Sequence, residues 1–270
     1  MSGRQHVGGR NLLHATLVGA ALLVLAAVAL IWRSDLFVLI VLAVVVAAYL
    51  DMDRVIRHTA SPVISVSLVA AVVLLAGTHL FGFSGQVGGI VTLLGATVAW
   101  LLAKDVTQDR LARATATVFA GVWILLFASF ALIILQHSDG EQRLAVTIGV
   151  VALADIGGYA IGVPFGRHKL SARLSPNKTV EGVLGAVTVA TAGAAFVWPW
   201  LFDQPVWHGI AFGFVVAVAC IVGDIAESGV KRALDVKDLG SLLPGHGGVL
   251  DRVDGLLFAL PVATLVFTLI

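Results

Sequence analysis

The stretch from Gly223 to Gly255, GDIAESGVKRALDVKDLGSLLPGHGGVLDRVDG, concentrates the reactive side chains of a 270-residue chain. Asp224, Glu227 or Ser228, and Lys231 recur every three to four residues, so a helix there would carry them on one face. Leu242-Leu243-Pro244-Gly245 is expected to break that helix. Gly245, Gly247 and Gly248 flank His246, leaving a chain bare enough for backbone N–H groups to approach a bulky anion. Asp251 and Asp254 lie three residues apart and share a helix face. Two carboxylates one turn apart repel, and the adjacent Arg252 points to another face. A divalent metal shared with Asp224 relieves that repulsion best. Every ligand would be a hard oxygen, which favours Mg²⁺ over zinc, and no Cys/His ligand set is present in the sequence. Taken singly, Lys231, Arg232 and Lys237 read instead as a solvated basic loop.

A second polar stretch, FGRHKLSARLSPNKTVEG, runs from Phe165 to Gly182. Ser175-Pro176-Asn177-Lys178-Thr179 followed by Glu181 has the pattern of a turn leading into a helix cap, and Lys178 and Thr179 also suit a phosphate. Upstream, Asp155 sits inside an apolar run, where a carboxylate is a functional candidate by default.

These residues must be positioned by a membrane protein. Hydrophobic residues make up 59% and charged residues 12% of the chain, whereas a soluble domain carries about 25% charged residues. The expected fold is an all-α polytopic integral membrane protein. Nine spans are expected, at 12–32, 35–50, 61–82, 85–103, 114–135, 144–164, 183–202, 205–223 and 250–270. Asp155 and neighbouring glycines interrupt the sixth. Arg4 and Arg10 precede an apolar run long enough to span rather than be removed as a signal. Alternation places 15 of the 17 basic residues on the N-terminal side; Arg33 and Arg143 fall on the other. The positive-inside rule then sets the N-terminus in the cytoplasm of a cell inner (plasma) membrane protein and Ile270 outside. Trp198, Trp200 and Trp207 are expected to form an aromatic belt at the outer interface. Residues 1–135 read as about five N-terminal spans. Residues 136–270 read as the catalytic region, with cytoplasmic loops at 165–182 and 224–249. From Asp251 to Ile270 is 20 residues, about 30 Å of helix, which sets Asp251 at the inner boundary and Asp254 about one turn inside it. The net charge of +1 argues against nucleic acid, and Cys220, the lone cysteine, reads as a small buried residue.

Ser228-Gly-Val-Lys231-Arg232, then Lys237-Asp238, then Pro244-Gly-His246-Gly247-Gly248-Val-Leu-Asp251-Arg252-Val-Asp254 resembles the signature of phosphatidate cytidylyltransferases, over 27 residues. Gly223-Asp224, Glu227-Ser228, the SPNKT segment, Glu181-Gly182, Phe165-Gly166 and Asp155-x-Gly157-x-Tyr159 fit the same family. The chain departs from it at Ile156, Val180 and Ala226, where relatives often carry Thr, Trp and Phe. The N-terminal half matches only as apolar spans.

The resemblance implies transfer of CMP from CTP to phosphatidic acid, giving CDP-diacylglycerol and pyrophosphate, within membrane lipids. It implies Mg²⁺, leaves open whether a second, monovalent cation joins it, and suggests a homodimer. Asp224 and Asp251 would hold Mg²⁺, with Asp254 close behind, and Lys231 would act with them. Lys178, Ser228, Arg232, Lys237, His246, Gly247, Gly248 and Arg252 would bind substrate; Asp155, Glu227 and Asp238 are further candidates. Three rivals are a CTP-using polyprenol or phytol kinase (or a cytidylyltransferase for another lipid), a CDP-alcohol phosphotransferase and an ion transporter. The second needs further aspartates along the last helix, which Leu256-Leu257-Phe258-Ala259 lacks. The third needs paired interrupted repeats, which do not stand out.

Overall fold

A computed structural model describes residues 34–60, 62–171, 175–240 and 248–270. Eight long helices account for most of them: α1 (Ser34–Ala60), α2 (Ile64–Phe81), α3 (Phe83–Leu102), α4 (Gln108–Leu135), α5 (Gly140–Phe165), α6 (Val180–Phe202), α7 (Val206–Ala233) and α8 (Leu250–Leu269). The last seven are long and apolar enough to cross a membrane. The expected span at 12–32 lies outside the described residues. That at 35–50 forms the apolar part of α1, which runs on through Asp51, Asp53 and Arg54.

The helix α4 is the hub. It touches α1, α2, α3, α5 and α8. Its middle, Gly121–Leu126, winds as a π-helix, and Trp123 lies edge-on to Phe258 of α8, ring centroids 6.5 Å apart. Polar side chains tie α2 and α3 to α4: Gln86 Nε2 donates to Ser129 Oγ at 2.8 Å, and Val63 N–H to Thr117 Oγ1 at 2.8 Å.

The remaining helices pack in sequence order, α5 on α6, α6 on α7 and α7 on α8. Water does not drive helices together in lipid, so close approach of small residues must do it. A Cβ on Gly157 would lie 2.6 Å from the Gly185 carbonyl oxygen. The glycines expected to interrupt the sixth span therefore leave α5 unbroken and serve its contact with α6.

Loop 165–182 contains a short antiparallel hairpin, β1 (Lys169–Ser171) and β2 (Ser175–Thr179), a small exception to the all-helical expectation. Thr179 caps α6, its side chain accepting from Gly182 N–H at 3.2 Å, as the SPNKT pattern predicts. The aromatic belt needs correction at Trp198. That ring is buried and stacks on Phe267, because it faces α8 rather than lipid. Trp200 and Trp207 are exposed. By alternation, the end of α1, the hairpin and the segment joining α7 to α8 gather at one end of the bundle. An ion pair from Lys178 to Asp224 and a bond from Val249 to Asp51 hold them there.

Gly157→Ala should lower the thermal unfolding temperature of the detergent-purified protein, at a cost of about 1–3 kcal/mol from overpacking. Gly149→Ala in the same helix, where a Cβ meets nothing within 4 Å, should leave it unchanged or slightly raised. Equal unfolding temperatures would remove the glycine contact from the account.

Candidate active site at one end of the bundle

The helix α7 continues past its apolar part to Ala233, so Asp224, Glu227 and Lys231 do share one face. It ends well before the expected break at 242–245. Leu234 caps it, and Asp235 turns the chain at φ 53°. Lys231 and Arg232 thus occupy the last turn, where the helix dipole favours cations.

Asp224, Glu227 and Asp254 each bring a carboxylate oxygen within 4.8 Å of the others. Glycines at the crossing allow this. A Cβ on Gly223 would lie 2.8 Å from the Asp254 carbonyl oxygen, and one on Gly255 2.6 Å from Cys220 Sγ. Cys220 is buried there as the sequence suggests. Glu227 is buried; its Oε2 accepts from Lys231 Nζ at 2.8 Å, while its Oε1 has no hydrogen-bond partner among the described residues.

Asp251 sits in the first turn of α8 and is differently engaged. It pairs with Lys231 Nζ at 2.7 Å and accepts N–H bonds from Leu239 at 2.9 Å and Gly248 at 2.6 Å. Lys231 therefore bridges Glu227 and Asp251. The structure groups Asp224 with Glu227 and Asp254, whereas Asp251 is held by Lys231 and the chain entering α8. The Gly248 amide, expected to face an anion, is turned onto this carboxylate.

The other loop contributes Lys178, which pairs with Asp224. Its geometry is fixed by Glu181, which accepts from Arg167 N–H at 3.0 Å and meets His168 Nδ1 at 2.6 Å. Lys178 and Asp224 line a cavity of about 410 Å³ together with Asp155, Tyr159, Gly182 and Cys220. That brings the intramembrane Asp155 beside the cluster. Ser228 and Asp238 are half-buried, and Arg232, Lys237 and Arg252 are exposed at the same end. His246 and Gly247 lie outside the described residues.

Sequence reasoning missed Asp51. It is fully buried in α1 and its Oδ2 accepts from Val249 N–H at 2.7 Å. The available signal was Asp51-Met-Asp53-Arg54, carboxylates closing an apolar stretch.

The three converging carboxylates fit a divalent metal. They are hard oxygen donors, two are the first and second acidic residues of one helix face, and buried Glu227 Oε1 has no hydrogen-bond donor among the described residues.

The sequence profile described as the cytidylyltransferase family matches residues 10–270. A phosphatidate cytidylyltransferase of Mycobacterium bovis is similar at 33% identity over 279 aligned residues, covering 97% of this chain and 90% of that protein. One of Mycobacterium leprae is 42% identical over 169 residues, 63% of this chain and 54% of that protein. One of Brucella suis is 36% identical over 173 residues, 63% of each. The profile takes in the helices that carry Asp51, Asp155, Asp224 and Asp254 and the hairpin that carries Lys178 alike, and the chain belongs to the cytidylyltransferase family.

Proposed function

We propose that this chain is a phosphatidate cytidylyltransferase, transferring CMP from CTP to phosphatidic acid to give CDP-diacylglycerol and pyrophosphate. The observation that carries the reading is the meeting of Asp224, Glu227 and Asp254 with Lys178 and Lys231, beside a cavity, at one end of an apolar bundle. The names of relatives matched over nearly the whole chain support it.

A phosphate monoester has a second pKa of about 6 and is mostly dianionic at neutral pH, so phosphatidate needs no strong base. Its phosphate oxygen attacks the α-phosphorus of CTP. The bond from that phosphorus to the oxygen bridging toward the β-phosphate breaks, and pyrophosphate leaves with the electron pair. The difficulty is bringing two anions together and offsetting charge on the leaving group. Asp224, Glu227 and Asp254 would hold Mg²⁺, which when bound supplies Lewis-acid neutralisation of phosphate oxygens. Lys178, paired with Asp224 here, would leave it for a phosphate. Arg232, Lys237 and Arg252 supply cationic charge at the cavity's end of the bundle, and Ser228, His246 and Gly247 would bind the nucleotide as the signature implies, the Gly248 amide being engaged by Asp251 instead. Asp251 keeps α8 in register, and Asp238 and Asp155 border the site. Residues 136–270 form the catalytic region.

The membrane is the cell inner membrane, with this end cytoplasmic and Ile270 outside. That orientation follows the basic residues and puts the carboxylates at the headgroup depth of the lipid substrate. A monovalent cation beside Mg²⁺ and a homodimer complete the proposal.

With cytidine-labelled CTP, phosphatidic acid and Mg²⁺, label should enter lipid. Asp254→Asn should reduce the rate at least about 100-fold, the several kcal/mol of metal stabilisation at stake. Label entering lipid from γ-labelled CTP instead would identify a kinase and overturn the reading. Lys231→Met should cost about 3–5 kcal/mol in detergent unfolding, because it strands two buried carboxylates. The double variant Lys231→Met/Glu227→Gln should recover part of that, and no recovery would argue against the bridge. A Lys237→Cys reporter should react with an impermeant maleimide in inverted vesicles but not in intact cells; the reverse pattern would invert the orientation.

A further inference from the structure

Asp51 lies on α1, outside the loops that carry the transferase signature, yet it grips the segment that begins α8. A helix leaves its first N–H groups without internal partners. Val249 supplies one of them, and Asp51 Oδ2 takes it at 2.7 Å. A carboxylate at this position also meets the favourable end of the helix dipole.

The same carboxylate is packed against glycine backbone. A Cβ on Gly240 would fall 2.1 Å from Asp51 Cγ, and one on Gly248 2.8 Å from Asp51 Oδ2. The Gly248 position would also clash with Gly240 Cα at 2.8 Å. The two ends of the segment from 240 to 248 are thus pressed together on Asp51. Beside them Asp251 holds Leu239 and Gly248 by their N–H groups. Two carboxylates, one from α1 and one from α8, grip the same pair of chain ends.

We infer that Asp51 is a positioning residue for the transferase centre: by holding Val249 and the Gly240–Gly248 contact, it sets the register in which α8 delivers Asp254 to Asp224 and Glu227. The inference rests on the function proposed above. The case for more than fold maintenance is one of distance along α8. Val249 precedes Asp254 by five residues on one rigid helix, so a shift at the first moves the second. A misplacement of about 1 Å in a positioned group reduces turnover by about 100-fold. A buried carboxylate in an apolar helix is also expensive unless its hydrogen bonds are made, which this arrangement provides.

The test compares Asp51→Ala and Asp51→Asn with wild type, as kcat per folded molecule, half-saturating Mg²⁺ and folded fraction by size exclusion. Asparagine keeps an acceptor of the same shape. Alanine should lower kcat about 10- to 100-fold and raise half-saturating Mg²⁺, while asparagine stays within about threefold of wild type, one bond's worth of rate. An alanine variant within threefold of wild type, or an asparagine variant as impaired as alanine, overturns the inference. So does a loss of total activity that only tracks loss of folded protein. If neither variant folds, hydrogen exchange of the wild-type peptide spanning 248–250 decides. Protection of the Val249 amide supports the clamp, and exchange at open-loop rates overturns it. A wild type that moves no cytidine label into lipid while Val249 stays protected would sink the proposed reaction and leave the clamp standing.

Discussion

Burying negative charge at the end of an apolar bundle is the constraint on which this structure depends. Asp224, Glu227 and Asp254 converge within 4.8 Å, and like charges so close repel strongly unless cations or protons answer them. Both polar segments of the chain respond to that demand. The hairpin exists to deliver Lys178 to Asp224, and the last turn of α7 delivers Lys231 to Glu227 and Asp251. A buried ion pair adds little to stability in itself, but removing one partner is severe. The lysines therefore set the geometry of the site more than they strengthen the fold.

That geometry requires backbones to come unusually close. Gly223 and Gly255 let α8 cross α7 at the carboxylates, and Gly157 and Gly185 do the same for α5 and α6 behind the cavity. Side chains larger than hydrogen at these crossings would separate Asp224 from Asp254 and lift Asp155 away from both. The π-helical segment of α4 sits across from this region, with Trp123 and Phe127 against Phe258 one turn below Asp254. The outer helices α2 and α3 contribute apolar surface and pack on α4, and α2 also bonds α1 through the buried Tyr49 and Ser67 hydroxyls.

Much of the site was legible because helical spacing is a local property. Asp224, Glu227 and Lys231 declare their shared face in eight residues, and Thr179 declares its cap in four. What was not legible depended on long-range backbone contacts. Asp251 reads in sequence as a metal ligand beside Asp224, and nothing there reveals that its oxygens also accept from the amides of Leu239 and Gly248. Asp51 pairs with an amide 198 positions away, and no periodicity links them. The end of α7 was placed too late because Pro244 is a stronger signal than the left-handed turn that Asp235 adopts. Trp198 was assigned to the interface by type and depth. Its direction depended on where Phe212 and Phe267 stand.

The carboxylates at this end divide into two groups by what their oxygens touch. Asp51 and Asp251 are spent on backbone N–H groups and on Lys231, and such oxygens are poorly available to anything that comes and goes. Glu227 Oε1 has no hydrogen-bond donor among the described residues, and Asp224 gives its oxygen to a lysine on a short hairpin rather than to the chain. Asp251 and Asp254, one turn apart on the same helix, fall on opposite sides of this division. Alternate assignment is what the spacing permits: the first turn of α8 must be anchored to the preceding chain, and only the next turn is rigidly placed by that anchoring. An Asp-x-x-Asp pair at a helix start can therefore serve as one anchor and one ligand, with the anchored residue making the other's position reproducible.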